Sequence, residues 1–196
     1  MRLTRTAYIG ILLLFAIPSA HAAPATTIAT NTQGLTQEAR QRSQQYRKKL
    51  TKALQASILT RGPAATAKHY GNTTQQIDQQ FSQQGWRIRR TSSKVRNPNN
   101  RPDLWEQRIL QNFALMIGQG APAERLEETA VIVLNGKKTF RYMKAITVTN
   151  ACLSCHGTKV SRQVRLAIDD RYPNDPAKGY RKGDIIGAVS IYKALE

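Results

Sequence analysis

The feature that most constrains this chain is a five-residue segment near its C-terminal third, Cys152-Leu153-Ser154-Cys155-His156. The pattern C-x-x-C-H is the attachment motif of c-type haem. Two thiols at this spacing can form thioethers with both vinyl groups of one porphyrin, and the adjacent imidazole is a strong axial ligand for iron. We therefore predict one covalent haem c, bound through Cys152 and Cys155, with His156 as the proximal iron ligand.

Two other kinds of site use a similar cysteine pair. A redox-active C-x-x-C motif normally opens a helix after a strand of a βαβ unit, and the sequence predicts no parallel unit. A closed zinc site needs four ligands, and only His69 and carboxylates could complete it here. A disulfide between Cys152 and Cys155 would close almost no loop and would stabilise the fold little. The haem interpretation is therefore preferred.

The N-terminus has the three regions of a secretory signal peptide. Arg2 and Arg5 precede an apolar run at 7–17, and the small-x-small pattern of a cleavage site ends at Ala22. The apolar run is too short to cross a bilayer as a helix. We predict a signal peptide over 1–22 that is cleaved after Ala22, a periplasmic location, and no membrane span in the mature chain.

The remaining chain is predicted to be one domain, from 35 to 196, behind a flexible tail at 23–34 that is small and polar. A narrow apolar stripe predicts a helix over 36–60, which the Gly62-Pro63 pair should end. Two further helices follow in the prediction, a short one at 64–70 that Gly71 closes and one that begins at Thr73 or Thr74 and stops at Gly85. The spacing of apolar residues predicts another helix from Asp103 to about Ile117.

Strands are predicted in the second half of the chain. Alternating or apolar segments with high strand propensity lie at 86–90, 130–134, 138–148 and 184–192. Asn135-Gly136 favours the type I′ turn of a hairpin, and 168–182 is predicted to be a polar loop. Helices followed by an antiparallel sheet indicate an α+β fold.

Several longer motifs resemble those of the bacterial PAS-like c-type haem domains, a family long catalogued as a domain of unknown function. They are Gly-Trp-Arg-Ile-Arg-Arg-Thr-Ser at 85–92, Lys-Val-Arg-Asn-Pro-Asn-Asn at 94–100, Pro-Asp-Leu-Trp-Glu at 102–106, Cys-Leu-Ser-Cys-His-Gly at 152–157 and Tyr-Pro-Asn-Asp at 172–175. The resemblance covers about 40–192. It implies a PAS-like antiparallel sheet with a long N-terminal helix and flanking helices around one covalent haem, acting in redox or gas sensing or in electron transfer.

The second axial ligand decides what a haem protein can do. Members of the resembled family can supply a distal cysteine from the segment after a Gly-Pro pair, but this chain has no cysteine outside the haem motif. The equivalent place falls at about Tyr70, beside His69. We take His69 as the candidate distal ligand, because histidine is the commonest metal ligand. Tyr70 is the alternative, and an open position is a third. Met143 and Met116 are further candidates, although methionine in such positions is more often core filler than a ligand.

Three arginines in the resembled motifs are candidate contacts for the haem propionates. Arg89, Arg90 and Arg96 qualify because a guanidinium binds a carboxylate through a bidentate pair of hydrogen bonds. The alternative is that they are solvated strand residues.

The charge of the chain bears on its partners. It has 30 Lys and Arg residues against 12 Asp and Glu residues, a net charge of +18. Such a surface attracts acidic partners, and export argues against nucleic acid. A redox or signalling partner protein of acidic character is therefore expected, with a small gas as a further ligand. A peroxidase-type enzyme with an open distal site is the alternative function, since it needs an acid–base residue near the iron.

Overall fold

The computed structural model describes residues 32–195. In this range the elements are α1 (Thr32–Phe81), β1 (Trp86–Thr91), α2 (Leu104–Gly118), β2 (Glu127–Leu134), β3 (Lys137–Thr147), α3 (Asn150–His156), α4 (Arg162–Asp169) and β4 (Ile185–Ala194), with short 3-10 helices at Pro98–Asn100 and Ala123–Arg125. The predicted signal peptide lies outside the described residues. None of the helices within them is both long and apolar enough to cross a bilayer.

The first helix is longer than the sequence predicts. α1 has 50 residues and a kink at Gly62, whose φ of 75° and ψ of 166° interrupt the helical geometry where Gly62-Pro63 is predicted to end a helix. The predicted helix end at Gly71 is wrong, because α1 continues through it. A Cβ at Gly71 would lie 2.8 Å from the hydroxyl oxygen of Tyr172. Glycine therefore serves a close contact here and does not end the helix.

The four strands form one antiparallel sheet in the order β1-β4-β3-β2. The predicted hairpin is confirmed. Asn135 and Gly136 both have positive φ, 50° and 77°, as a type I′ turn requires, and they join β2 to β3. Because α3 begins three residues after β3 ends, this hairpin also positions the cysteine motif at one end of the sheet.

Each face of the sheet is covered by a different helix. On one face α1 packs on an apolar cluster that includes Tyr46, Ile77, Trp86 and Ile191. On the other face α2 packs on a second cluster, centred on Phe113 and including the fully buried Met143. The predicted α+β class, with a long N-terminal helix and an antiparallel sheet, is confirmed.

The sequence does not predict α4. Ser161 caps this helix through its side chain, and Val164, Ala167 and Ile168 are its buried residues. α4 packs on α1. The residues between α4 and β4 have little regular structure, in agreement with the predicted loop. They form backbone hydrogen bonds with the end of α3.

Candidate functional site

The cysteine motif forms most of α3. Thr149 is the N-cap residue, and its N–H donates to the sulfur of Cys152 at 3.4 Å. Residues at i, i+3 and i+4 lie on one side of a helix, which brings Cys152, Cys155 and His156 together. Both thiols are free, and with His156 they line a single cavity of about 270 Å³. The three residues predicted to bind one group are thus gathered at one place.

The cavity lies between α1, which lines it on both sides of the kink at Gly62, β1 and its following loop, α3, and the segment that leads into β4. Its apolar wall includes Leu50, Leu54, Ile146 and Ile186. Four cationic side chains also line it, namely Arg47, Arg90, Lys94 and Arg96, whereas no aspartate or glutamate of the described residues is among its lining residues. This cavity is suited to a ligand with an apolar body and negative charge.

The imidazole of His156 is held in one tautomer. Its Nδ1 lies 2.8 Å from the carbonyl oxygen of Ala177, which can only accept a hydrogen bond, so Nδ1 carries the hydrogen and Nε2 keeps its lone pair. Burial, with the nearby charge of Arg96, lowers the pKa of His156 to about 4. The ring is therefore neutral near pH 7, which is the form that binds a metal ion.

One cysteine thiol of the motif is also shifted towards its protonated form. Burial raises the pKa of the Cys155 thiol above its ordinary value, although the Ser154 hydroxyl and Arg96 act in the opposite direction. The glycine after the motif has a steric role within the protein. A Cβ at Gly157 would lie 2.6 Å from the carbonyl oxygen of Leu153, to which the Gly157 N–H donates a hydrogen bond.

Two of the three predicted arginines line the cavity. Arg96 lies beside His156, and its Nη2 donates to the Cys155 carbonyl at 2.7 Å. Arg90 lies near Tyr46, whose hydroxyl donates to Asp78 at 2.5 Å, and the charge of Arg90 affects both of those groups. Among residues 32–195, the Nε atoms of Arg90 and Arg96 are buried and have no hydrogen-bond partner.

The structure places Arg89 elsewhere. Neighbouring residues of a strand face opposite sides of the sheet, and Arg89 points to the α2 side. Its Nη2 lies 2.5 Å from a carboxylate oxygen of Glu106. Arg89 does not line the cavity, and its predicted contact with a propionate therefore has no support from its position.

The two candidates for the distal ligand are also separated. His69 is exposed and is not among the residues that line the cavity. Tyr70 lines it, and its hydroxyl donates to the Leu50 carbonyl at 2.8 Å. Burial raises the pKa of Tyr70 to about 12. A second cavity tyrosine, Tyr172, is not among the predicted site residues, although the motif that contains it is one of those that resemble the haem domains.

A comparison with known families places this chain. A family model described as Tll0287-like matches residues 21–194. The chain belongs to the Tll0287-like family. The structure of this Tll0287-like chain is similar to the crystal structure of the cyanobacterial haem protein Tll0287, with a TM-score of 0.60 and 22% sequence identity over 85% of this chain and 98% of that one. At this identity the likeness shows a shared fold. No curated protein matches the Tll0287-like chain significantly.

The zinc alternative lacks a ligand set in the Tll0287-like chain. Nowhere between residues 32 and 195 do three or more His, Cys, Asp or Glu side chains form a group that could hold a metal ion. Cys152, Cys155 and His156 supply two thiols and a neutral imidazole on one short helix. This set is suited to binding a group that carries its own metal and offers two carbon atoms to the thiols.

Proposed function

We propose that this chain is a c-type cytochrome that binds one haem covalently through Cys152 and Cys155, with His156 as the proximal ligand. The observation that carries the proposal is that all three residues line one cavity from one side of α3. Each thiol would add across a vinyl group, so that a C–S bond forms and the thiol hydrogen goes to the other vinyl carbon. The addition needs no oxidant, and the free state of both thiols is compatible with it.

The charges around the cavity support the same group. A haem has an apolar ring and two propionates, and the cavity has an apolar wall and four cationic side chains. Buried polar groups in proteins are nearly always hydrogen-bonded. Within the part of the chain that the structure describes, the buried Nε atoms of Arg90, Arg96 and Arg141 lack a hydrogen-bond partner. Arg141 lies on the α2 face, whereas Arg90 and Arg96 line the cavity, where carboxylates of a bound haem would satisfy them. On this proposal the domain is a PAS-like haem domain.

Axial ligation is the next step of the proposal. When bound, the haem iron supplies reversible one-electron chemistry and, at a free axial position, binding of small gases. His156 would offer Nε2, which lies 3.4 Å from Nη1 of Arg96, on one side, so haem binding would require this guanidinium to move. We favour Tyr70 over His69 as the distal residue, because Tyr70 lines the cavity and His69 is exposed at the surface. Tyrosine is an established axial ligand of haem iron.

A tyrosine in this position favours a redox-responsive function. A phenolate oxygen is a hard, anionic ligand, and it binds ferric iron more strongly than ferrous iron. Coordination would require the Tyr70 hydroxyl to leave the Leu50 carbonyl and to release its proton to solvent. It would depend on the oxidation state of the iron, which is what a redox sensor requires. The ferrous protein would then have an accessible axial position for a small gas.

Electron transfer is the second function that an observation favours. The net charge is +18 for the whole chain and +16 once residues 1–22, with Arg2 and Arg5, are removed. This charge would steer the protein onto an acidic redox or signalling partner, and ionic strength would weaken that association. A peroxidase would need an acid–base group beside the iron, and His69 could serve if it did not bind the iron. The peroxidase alternative has no support, since His69 is exposed and does not line the cavity. We also propose export, with a mature N-terminus at Ala23.

The first experiment tests the covalent attachment of haem. The full chain is produced with a c-type haem maturation system, and haem that stays with the polypeptide on a denaturing gel is measured for wild type and for Cys152→Ala and Cys155→Ala. We expect covalent haem in wild type and its loss when both cysteines are replaced. Wild-type protein without covalent haem would overturn the proposal.

The adjacent residues His69 and Tyr70 provide a matched pair of variants. We expect Tyr70→Phe to change the ferric absorption spectrum and to leave the ferrous spectrum nearly unaltered, and we expect His69→Ala to change neither. Carbon monoxide should bind to the ferrous form of wild type. If His69→Ala changes the ferric spectrum and Tyr70→Phe does not, the distal assignment to Tyr70 is wrong. A wild type that ignores carbon monoxide would favour electron transfer over sensing.

A further inference from the structure

The segment after α4 is hydrogen-bonded to the end of the motif helix. The N–H of Tyr180 donates to the carbonyl of His156 at 3.0 Å, and the N–H of Gly179 donates to the carbonyl of Gly157 at 3.2 Å. Gly157 and Tyr180 form an isolated parallel bridge. This segment is therefore fixed against the backbone that carries His156, and it supplies the carbonyl of Ala177 that accepts from the ring.

Asp175 organises this segment from inside. Its side chain is fully buried, and its two oxygens have different partners. Oδ1 accepts from the N–H of Ala177 at 2.9 Å, which fixes the turn that presents the Ala177 carbonyl. Oδ2 accepts from Nη2 of Arg96 at 2.9 Å. The carboxylate thus joins the turn to the guanidinium that lies beside the haem motif.

The two connections meet again at one atom. The carbonyl oxygen of Ala177 lies 2.8 Å from Nδ1 of His156 and 3.2 Å from Nη2 of Arg96. The same Nη2 also contacts the Cys155 carbonyl. Two contacts therefore hold the Ala177 oxygen that orients the imidazole. Residue Ala177 is anchored through its N–H, and its oxygen accepts from Arg96. Asp175 accepts hydrogen bonds from both the Ala177 N–H and the Arg96 guanidinium.

We propose that Asp175 is a positioning residue for the axial histidine, which fixes the Ala177 carbonyl and thereby sets the orientation and donor strength of the His156 imidazole. This inference rests on the proposed haem binding and goes beyond it by assigning a residue that touches neither thiol nor imidazole. Partners of this kind behind a metal-bound histidine fix the ring and raise its basicity.

The sign of the effect follows from the hydrogen bond. A firm Nδ1–H to carbonyl bond makes the imidazole a stronger electron donor, and a stronger donor stabilises ferric iron relative to ferrous iron. Loss of the hydrogen bond from His156 Nδ1 to the Ala177 carbonyl would therefore raise the reduction potential. Loss of the negative charge of Asp175 would also raise it, so a variant that keeps the charge is needed to separate the two causes.

The experiment compares three variants of the full-length haem-loaded protein. Asp175→Asn removes the charge and weakens both contacts, Asp175→Glu keeps the charge and displaces the carboxylate, and Asp170→Asn is the control. Asp170 lies nearby on an exposed surface, where its partner is Lys68. Reduction potentials are measured by spectroelectrochemistry, and the ferric electron paramagnetic resonance spectrum reports the geometry of the axial ligand.

We expect Asp175→Asn and Asp175→Glu both to shift the potential upward and to alter the ferric resonance spectrum, while Asp170→Asn changes neither. A wild-type potential and spectrum in Asp175→Glu, with a shift in Asp175→Asn alone, would overturn the positioning role and leave a charge effect. If Asp175→Asn does not fold, Asp175→Glu alone decides in the same way. Failure of the haem proposal is distinguishable, because wild type itself would then lack covalent haem on the denaturing gel.

Discussion

Two neighbouring arginines of β1 show how differently the two faces of this sheet are built. Arg89 faces α2 and pairs with Glu106, which is 0% exposed and also binds the buried Arg141 at 3.1 Å. Arg90 faces the cavity and, within residues 32–195, forms no ion pair shorter than 4.0 Å. One strand therefore delivers a fully paired cation to one face and an unpaired cation to the other.

The comparison separates structural charge from functional charge. A buried charge is costly unless it is paired. On the α2 face Asp103 and Glu106 supply the pairing from within the chain, and Arg141 also stacks on the ring of Trp105 at 4.6 Å. On the cavity face Arg90 acts on the carboxyl group of Asp78 through its charge but, within the described residues, forms no ion pair, so we expect a ligand to supply a paired negative charge.

The largest expected effect comes from breaking the paired face. Glu106→Gln would leave Arg89 and Arg141 without their shared negative partner, and we expect the free energy of unfolding to fall by about 3–5 kcal/mol. Urea unfolding of the purified protein measures it. Glu124→Gln, at an exposed position, is the matched control and should change little. Equal effects of the two substitutions would show that the α2 cluster does not stabilise the fold.

The second prediction compares the two arginines directly in the haem-loaded protein. Arg90→Gln removes a positive charge beside the cavity that no carboxylate of the described chain pairs with, so ferric iron is favoured and the reduction potential falls by on the order of 60 mV, a tenfold change for a one-electron couple. Arg89→Gln removes a charge that Glu106 already balances on the opposite face, and its shift should be less than half as large. Spectroelectrochemical titration measures both. Equal shifts in reduction potential would contradict the proposal that Arg90 faces the haem and Arg89 does not.

The smallest expected effect is on the pH dependence of stability. Burial raises the pKa of Asp78 on the α1 face, against the opposing effects of Tyr46 and Arg90, so its folded state holds the proton to higher pH. The free energy of unfolding then falls as pH rises from the ordinary value of 3.8 towards the raised value. Unfolding of Asp78→Asn, measured in urea from about pH 3 to pH 7, should lack this fall.

Asp103 on the α2 face should behave in the opposite way. Burial tends to raise its pKa, but hydrogen bonds from the Glu106 N–H and the Arg141 guanidinium outweigh burial and lower it. The stability that Asp103 contributes is therefore present above pH 3.8 and is lost as the pH falls through its lowered pKa. In Asp103→Asn this acid-side loss should be reduced. The same slope in both variants would contradict the assignment of these carboxyl groups.

Local sequence signals predicted the parts of the fold that depend on local chemistry. The Asn135-Gly136 turn requires two residues with positive φ, and the helix after Asp103 has a capping box with Glu106, so both elements are found where expected. Gly71 misled the helix prediction because its small size serves a contact with Tyr172, which is distant in sequence. A contact of this kind leaves no local pattern.

The site shows the same division. The C-x-x-C-H spacing predicted which residues lie together, because α3 places them on one side whatever surrounds it. The choice between His69 and Tyr70 depends on which side of α1 faces the cavity, and residues one apart point about 100° apart on a helix. The sequence predicts that the helix stops at Gly71, so no apolar stripe after Gly71 shows which side of the helix faces the cavity. Strand alternation separates Arg89 from Arg90 but does not tell which face holds the cavity.

The contact between α1 and the end of α4 has a consequence for the order of assembly. Arg171 donates to the Lys68 carbonyl and to Asn72, which are 103 and 99 positions away in sequence. The β2–β3 hairpin and α3 are instead neighbours along the chain, and local contacts form earlier in folding than distant ones. We therefore expect the hairpin and both thiols to be in place while the α1 wall is still open. On the proposed haem binding, a flat, rigid porphyrin would then have time to enter before the chain closes around it.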